Sequence, residues 1–396
     1  MNSRPNSPPL ARRNDLVREV LMDYRLKEDQ LLLQKTVRKF TEREIEPIAA
    51  RIDQEEKIPD ELIRKMADLG LFGMPVPTRY GGGEADNLTV ILVCEQIAYS
   101  GTGAWWSVAF NNSIPECILR FGSDLVRETF LKPLCDGTAC SSIQFTEEST
   151  GSDPRLLSTT AVPDGDAYVV NGMKRFSTFG ARDGYAMLFA KDETERCTAF
   201  VIQKNSPGYS VTRRWDLMGG GGMETVDVYL ENLRVPKNHI LGEKGKGFDV
   251  LLHWISTEKI EQCAACVGMI QAALDEAVQY TKERLVRGKP VAGMQGVQWM
   301  LADVYVRLQA ARSMTYRAAV LQDEGDPNWM TEAAAAKLFV MPTTLQAVDI
   351  ARQLHGAYGY SREFKVERIY RAVAGATAIA TSLEINKSIV GNWVCR

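Results

Sequence analysis

The stretch GKGFDVLLHWISTEKIEQCAACVG, residues 245–268, has the pattern of a long helix that carries charged residues in an apolar setting. Apolar residues recur in it at roughly helical spacing, and no proline follows for over forty residues. Within it, Glu258 and Lys259 are neighbours. A carboxylate beside a cation on such a helix is either a solvated or ion-paired charge or a buried functional group. The rest of the chain has to decide between these two interpretations.

The composition is that of an ordinary globular protein. The chain has 396 residues, of which 45% are hydrophobic and 24% charged, with a net charge of −3. This length predicts two or three domains, and the charge gives no indication of nucleic-acid binding. The absence of a run of about eighteen apolar residues argues against a membrane span. Eight scattered cysteines are typical of a reducing compartment, so we expect a cytoplasmic protein.

Residues 1–21 contain proline, serine and arginine and precede the first periodic pattern. We expect a disordered extension or a leader here. A transit peptide would place the protein in the mitochondrial matrix, but Asp15, Glu19 and the shortness of the segment disfavour this alternative.

The chain divides into three regions by pattern. Residues 22–136 predict a helical domain, with Pro47 ending its first helix; the predicted helices are Lys27–Ile45, Pro59–Gly70, Leu88–Tyr99 and Ser113–Leu134. Residues 137–244 contain short β-type runs separated by turn formers and predict a compact β domain; the predicted runs include SSIQF, AYVV, YAMLFA, TAFVIQ and VDVYL. Residues 245–396 return to helical patterns, broken by turns at 287–290, 324–327 and 356–359. The predicted fold is α+β with three domains.

Two other patterns suggest chemistry that their context does not support. The glycine run 219–222 opens no helix after a strand and is interpreted as a turn. Cys263 and Cys266 form a CxxC pair without a second pair or a nearby histidine motif, so they are interpreted as small packing residues and no metal is expected.

Several motifs, in one order, resemble those of the acyl-CoA dehydrogenase flavoprotein family. FTEESTGSDP (145–154) is similar to the family motif TEPGAGSD, NGMKRFSTFG (171–180) to NGxKxWITNG, and ENLRVPKNHILGEKGKGF (231–248) to VPxxxxLGxxGxGF. MQGVQWMLADVYVRLQAAR (294–312) and QLHGAYGYSREFKVERIYR (353–371) add to this resemblance. The resemblance implies an N-terminal helical domain, a middle β-barrel or sandwich domain and a C-terminal four-helix bundle.

The resemblance also implies FAD, held between the β domain, the bundle and a neighbouring subunit. Phe176 stands where the family has tryptophan, and Ser177 and Thr178 follow it. Arg284 and Gln295 would hold the partner subunit's FAD, so a homodimer or homotetramer is implied. The full set of implied cofactor-binding residues is Phe145, Thr146, Ser152, Phe176, Ser177, Thr178, Arg284, Gln295, Gln353, Leu354, Gly356, Ala357, Thr381, Ser382 and Glu384.

The family's usual catalytic base is absent from this chain. That base is the glutamate of a C-terminal YEGT motif, which corresponds here to Ile379, Ala380, Thr381 and Ser382. The backbone N–H of Ala380 could still bind the thioester carbonyl. Glu384 would lie one helical turn, roughly 6 Å, further on and is a poor substitute for the base.

A second arrangement in the family, in its isovaleryl, long-chain and crotonobetainyl branches, places the base on the first bundle helix in a motif (L/F)-D-x-E-R. Glu258 matches this position, so the resemblance implies that Glu258 removes the α-proton. Lys259 replaces the arginine, which puts in doubt a role in anchoring substrate. Ser152 is implied at substrate oxygens. Trp105 and Trp106 correspond to the acyl pocket, although core packing is the alternative.

The implied activity is FAD-dependent α,β-dehydrogenation of an acyl thioester carried by CoA or by a carrier protein. Glu258 would take the α-proton while the β-hydrogen leaves as hydride, and an electron-accepting flavoprotein or oxygen would take the electrons. Two alternatives remain open among enzymes, an enoyl-thioester reductase and an oxidase of another carbon acid. A third, motivated by Ala380, is a catalytically inactive scaffold subunit.

Overall fold

The computed structural model describes residues 25–151 and 153–396, so the extension predicted at 1–21 lies outside the described residues. The N-terminal region is helical, as predicted. Its helices are α1 (Glu28–Phe40), α2 (Ala49–Glu55), α3 (Asp60–Asp68), α4 (Asn87–Ala98), α5 (Ala104–Phe121) and α6 (Asp124–Cys135).

Two predicted boundaries in this region are wrong. A π-helical turn, Thr41–Ile45, and a 3-10 turn, Glu46–Ile48, lead from α1 into α2. Pro47 therefore does not end the helical path, because it lies at the start of the 3-10 turn, where it displaces no hydrogen bond. The helix predicted at 113–134 is two helices, since Ser123 caps α6 by accepting a hydrogen bond from the Val126 N–H at 3.3 Å.

The middle region is one mainly antiparallel sheet in the order β6-β7-β3-β2-β4-β5-β8, with β1 paired in parallel to β4. Its strands are β1 (Cys140–Gln144), β2 (Thr160–Asp164), β3 (Ala167–Ser177), β4 (Gly184–Lys191), β5 (Cys197–Gln203), β6 (Tyr209–Arg214), β7 (Val226–Pro236) and β8 (Ile240–Leu241). Strands β2 and β6 carry few apolar residues and were not predicted. Both pair with longer, more apolar strands, which supply the burial that their own sequences do not indicate.

The sheet separates two hydrophobic cores. Along β4, Met187 and Phe189 pack into the core shared with the helices, whereas Leu188 and Ala190 pack into a smaller core on the opposite face. This alternation follows from the two-residue period of a strand. The sheet is thereby joined to the helical regions through one face only.

The C-terminal region is a helical bundle built around one long helix. Its elements are α7 (Gly247–Glu283), a short hairpin of β9 (Leu285–Val286) and β10 (Lys289–Pro290), α8 (Gln295–Asp323), α9 (Trp329–Leu354), α10 (Lys365–Ala374) and α11 (Leu383–Val394). Helix α7 packs against α4, α5, β5, α8, α9 and α10 and so touches all three regions. Among the described residues, no helix is long and apolar enough to cross a membrane.

Helices α4 and α7 approach each other closely at Gly268. A Cβ at this position would lie 2.0 Å from the backbone oxygen of Glu95, so the crossing requires glycine. The Glu95 carboxylate is buried beside the crossing and accepts hydrogen bonds from Tyr316 at 2.7 Å and Arg312 at 3.0 Å. The N-terminal region is thus fastened to the bundle at the middle of α7.

A buried ion pair orders the segment that follows β1. Lys174 is fully buried and lies 2.5 Å from the Glu147 carboxylate, and its ammonium also donates to the Phe189 carbonyl at 2.7 Å. The same carboxylate accepts from the backbone N–H groups of Ser158 and Thr159. Lys174 and these donors lower the pKa of Glu147 to about 2 despite its burial, so the segment 145–150 is held by a charged group at neutral pH.

We expect Lys174→Met to destabilise the β domain by about 3–5 kcal/mol, because it leaves the Glu147 carboxylate buried without its cation. Lys191→Met is the matched control. Lys191 lies in the same sheet and forms an exposed pair with Glu195 at 3.4 Å, so its loss is expected to cost about 0–1 kcal/mol. Urea unfolding followed by circular dichroism measures both. Equal effects of the two substitutions would contradict the role assigned to Lys174.

Candidate active site

Glu258 lies on the side of α7 that faces the interior of the molecule. Only 1% of its surface is exposed, and neither carboxylate oxygen has a hydrogen-bond partner among the residues the structure describes. Buried polar groups in proteins are nearly always paired, and an unpaired one suggests a functional role or a missing ligand. The interpretation of Glu258 as a solvated surface charge is therefore wrong.

Two buried lysines, Lys337 and Lys259, interact with this carboxylate through their charges. Burial raises the pKa of Glu258, and the charges of Lys337 and then Lys259 offset part of this effect. Burial also lowers the pKa of Lys337, which is fully buried in α9, and lowers the pKa of Lys259 to about 8. The three groups form a buried charge cluster in which the carboxylate is electrostatically held but not hydrogen-bonded.

Ala380 lies in the loop 375–382 between α10 and α11. The Lys337 ammonium donates to the carbonyl of the preceding residue, Ile379, at 2.7 Å. Ala380 itself has φ of +62°, a left-handed conformation that is uncommon for alanine. Its backbone N–H donates to no acceptor in the part of the chain that the structure describes. The loop therefore presents a free donor close to the buried charge cluster.

The predicted helical relation between Ala380 and Glu384 is wrong. Helix α11 begins only at Leu383, after Ser382 caps it by accepting from the Ile385 N–H at 3.4 Å. Glu384 lies on the exposed first turn of α11, whereas Thr381 is buried with its hydroxyl oxygen unpartnered among the described residues.

A cavity of about 240 Å³ adjoins this loop. Trp105 and Trp106, stacked at 4.0 Å on α5, form part of its wall, as does Ile379 of the loop. Helix α7 contributes four lining residues, Gln262, Ala265, Cys266 and Met269. A larger cavity of about 780 Å³ lies between α3 and the sheet, but it is lined by charged residues and includes none of the predicted site residues.

The two β-domain segments that were predicted to hold the flavin lie side by side. The Thr146 carbonyl accepts from the Arg175 N–H at 2.7 Å, and the Ser177 hydroxyl donates to Gln144 at 2.5 Å. Phe176 has φ of +55°, is half exposed and stacks on Trp215 with ring centroids 4.4 Å apart. Thr178 is buried, and Phe145 is partly buried at the end of β1. Ser152 lies outside the described residues.

The residues predicted to reach a partner subunit's FAD gather at one end of the bundle. Tyr280, one turn before the end of α7, stacks on His355 after α9 with ring centroids 4.6 Å apart. This contact brings the end of α7 and the segment 353–357 together. The residues exposed in this region are Arg284, Gln295, Gln353, Gly356 and Ala357, whereas Leu354 is partly buried.

Sequence reasoning did not find Lys337 or Gln262. Lys337 is the one charged residue in the run AAAAKLFVMP, and a lone lysine among apolar residues on a helix indicates a buried charge. Gln262 lies one turn after Glu258, but the residues that enclose it come from other elements of the chain. The sequence carried a signal for the first residue and none for the second.

One mixed cluster could in principle hold a metal ion. Ligand atoms of Glu116, Cys117 and His253 lie within 4.8 Å of one another, and His253 is 2.7 Å from the Glu116 carboxylate. Burial raises the pKa of the Cys117 thiol well above its usual range, which disfavours the thiolate that binds metals. The histidine and the carboxylate are already paired with each other, and we assign the cluster to packing between α5 and α7.

Models of a single family match nearly the whole chain. They are the acyl-CoA dehydrogenase N-terminal domain over residues 27–138, its middle domain over 142–233 and its C-terminal domain over 245–395. The chain belongs to the acyl-CoA dehydrogenase family. The family catalyses flavin-dependent dehydrogenation of acyl thioesters, so the chain is an FAD-dependent oxidoreductase that acts on CH–CH groups.

Individual relatives differ in their reactions. The chain is 36% identical over 370 residues to 3-(aryl)acrylate reductase of Clostridium sporogenes, covering 92% of this chain and 98% of the relative. It is 30% identical to butyryl-CoA dehydrogenase of Megasphaera elsdenii, with TM-score 0.92, and the match covers 95% of this chain and 100% of that structure. It is 28% identical to the prolyl acyl carrier protein oxidase AnaB, with TM-score 0.89, and the match covers 93% of this chain and 100% of that structure. These relatives thus include enzymes named for reduction, for dehydrogenation and for oxidation on a carrier protein.

We expect Glu258→Gln to stabilise the protein increasingly as the pH rises. The pKa of Glu258 is raised in the folded state, so its contribution to stability is present at low pH and is lost as the pH rises through that raised pKa. A glutamine remains neutral at all pH values. Thermal unfolding midpoints at roughly pH 5 and pH 8 measure the difference, which should grow with pH. Glu283→Gln, at an exposed position on the same helix, serves as the control, and a difference that shrinks with pH would contradict the expectation.

Proposed function

We propose that this protein dehydrogenates an acyl thioester between its α- and β-carbons with Glu258 as the base. The observation that supports this most is the buried, unpartnered carboxylate of Glu258 near the loop in which Ala380 replaces the family's usual glutamate. The chain lacks the family's usual glutamate at position 380, and Glu258 on α7 supplies a carboxylate in its place. A scaffold subunit without activity would have no evident reason to keep this costly group in its interior.

In this proposal, the base and the hydrogen-bond donor to the thioester oxygen belong to different residues, Glu258 and Ala380. The α-proton of a thioester is a weak acid, and burial makes Glu258 a stronger base than a carboxylate in water. As the proton leaves, negative charge develops on the thioester oxygen, and we propose that the free N–H of Ala380 donates a hydrogen bond to that oxygen. The apolar lining of the cavity, including Trp105 and Trp106, excludes water from this step.

The residues present fit FAD. The flat flavin ring could pack against the half-exposed Phe176. The Thr381 hydroxyl, which has no partner among the described residues, could hydrogen-bond to it. At the far end of the bundle, the exposed Arg284 guanidinium and the Gln295 and Gln353 amides are groups that bind phosphate and adenine. When bound, FAD supplies the acceptor for the hydride from the β-carbon. We propose the remaining predicted residues, Phe145, Thr146, Ser152, Ser177, Thr178, Leu354, Gly356, Ala357, Ser382 and Glu384, as neighbours of the same cofactor.

We propose a homodimer or homotetramer, an electron-transferring flavoprotein or oxygen as electron acceptor, and a cytoplasmic location. Support for the oligomer comes from apolar side chains exposed near the end of the bundle that carries Arg284; they include Leu285, Met294, Trp299, Tyr305 and Val306. The eight free cysteines are consistent with a reducing compartment.

The reverse reaction is the second candidate function. Several relatives are named reductases, and in that direction Glu258 would deliver a proton to the α-carbon of an enoyl thioester. One structural relative is an acyl carrier protein oxidase, so the substrate proposed here is a thioester of either CoA or a carrier protein. In both the dehydrogenation and the reverse reduction, the Glu258 carboxylate exchanges a proton with the substrate α-carbon. Lys259 is proposed to tune the cluster rather than to anchor substrate, since it is buried beside the base.

Anaerobic flavin bleaching tests the proposed function. The wild-type protein, purified with its flavin, should bleach with at least one saturated acyl-CoA or acyl carrier protein, and Glu258→Gln should bleach about 10²–10⁴-fold more slowly while retaining flavin. The activity should return in part when Ala380→Glu is added to Glu258→Gln, because a carboxylate then occupies the family's other position. Undiminished bleaching in Glu258→Gln would refute the base assignment, and a protein without flavin would favour the scaffold.

Lys337 is proposed as a positioning residue for Glu258 and the loop. It supplies the largest favourable charge at the carboxylate and holds the Ile379 carbonyl next to the proposed donor. One side chain thus sets both the protonation of the base and the location of the oxyanion donor.

We expect Lys337→Met to move the acidic limb of the kcat/KM profile to higher pH, because removing the cation raises the pKa of Glu258 further. Lys259→Met is the comparison variant and should move the limb less, since Lys259 contributes the smaller charge effect. A fall in kcat/KM with an unmoved profile would show that Lys337 only supports the fold.

A further inference from the structure

The cavity of about 240 Å³ that adjoins the loop 375–382 is lined by one buried side chain whose oxygen has no partner among the described residues. Gln262 lines the cavity and is 2% exposed, and its Oε1 has no hydrogen-bond partner among the described residues. A buried amide group that is not hydrogen-bonded is destabilising, so it is normally retained where a ligand pairs with it. The surrounding wall offers apolar groups; they include Trp105, Trp106, Met218, Met223, Met269 and Ile379.

The position of Gln262 relative to the base sets where its partner must lie. Gln262 lies four positions after Glu258 on α7, which places the two side chains on one face of the helix, roughly 6 Å apart along its axis. A substrate with its α-carbon at Glu258 would therefore meet Gln262 with an atom about 6 Å further along its acyl group. That atom is beyond the β-carbon and takes no part in the reaction.

The size and the lining of the cavity favour a ring. Its volume is about 240 Å³, and a cavity of about 150 Å³ holds a benzene molecule. Flat indole surfaces and methionine sulfurs are good neighbours for an aromatic ring. The space exceeds a single ring by enough for a short link to the thioester and one substituent.

We propose that the acyl group of the substrate bears a ring with a hydrogen-bonding O–H or N–H group, which the side-chain amide of Gln262 binds. This inference rests on the proposed function, because it places the α-carbon at Glu258. It makes Gln262 a residue that determines acyl specificity.

Glu261, a second buried carboxylate on this helix, does not share the role. Its Oε2 has no partner among the described residues, but Glu261 does not line the cavity and its carboxylate interacts with Ser113 on α5. An amide, unlike this carboxylate, can accept or donate and needs no counter-charge from the substrate.

The test uses pantetheine thioesters, because the pantetheine arm is common to CoA and carrier proteins. The acyl groups are 3-phenylpropanoyl, its three monohydroxylated ring isomers, and butanoyl as the aliphatic comparison. Anaerobic bleaching of the holoenzyme as a function of thioester concentration gives the affinity. We expect at least one hydroxylated isomer to bind about tenfold more tightly than 3-phenylpropanoyl, equivalent to ~1.4 kcal/mol.

The variant Gln262→Met conserves length and removes the amide, so the tenfold advantage should disappear in it. Gln279→Met, at an exposed glutamine of the same helix, should keep the advantage. The proposal is overturned if no isomer is favoured, if the advantage survives in Gln262→Met, or if butanoyl binds as tightly as the ring-bearing groups. Bleaching by unsubstituted acyl groups alone would overturn only this inference, whereas failure of every thioester would overturn the proposed function with it.

Discussion

Burying the carboxylate of Glu258 without a hydrogen bond is the constraint on which the site depends. A charged group in such a position is strongly unfavourable unless nearby charges compensate for lost hydration. Lys337 and Lys259 provide that compensation from α9 and α7, and helices of the N-terminal region help to keep water out. The N-terminal region and the bundle are therefore needed together, because neither alone encloses the proposed base.

Much of the fold could be predicted from periodicity, because its longest elements have the clearest patterns. Helix α7 and the apolar strands β4 and β5 lie where their patterns place them. The errors occurred where tertiary contacts override local preference. Pro47 lies in a continuing helical path, and strands β2 and β6 owe their conformation to their neighbours in the sheet.

The site was predictable only in part. Motif resemblance supplied Glu258 and Ala380, because both occupy positions at which family members carry a glutamate. It could not supply Lys337 or Gln262, whose roles arise from distances between α7, α9 and the loop 375–382. The left-handed conformation of Ala380 could not be predicted either, since no residue type in the segment AIATS (378–382) requires it.

The loop 375–382 is built almost entirely from small residues, and several of them form part of the wall of the 240 Å³ cavity. With the proposed base on helix α7, this wall would not carry the group that removes the proton. The loop could gain larger side chains at Gly375, Ala376 or Ala378 and narrow the cavity while the helix remained in place. Under the proposed function, the acyl groups that this protein accepts could therefore change through the loop while the proposed base on α7 stays in place.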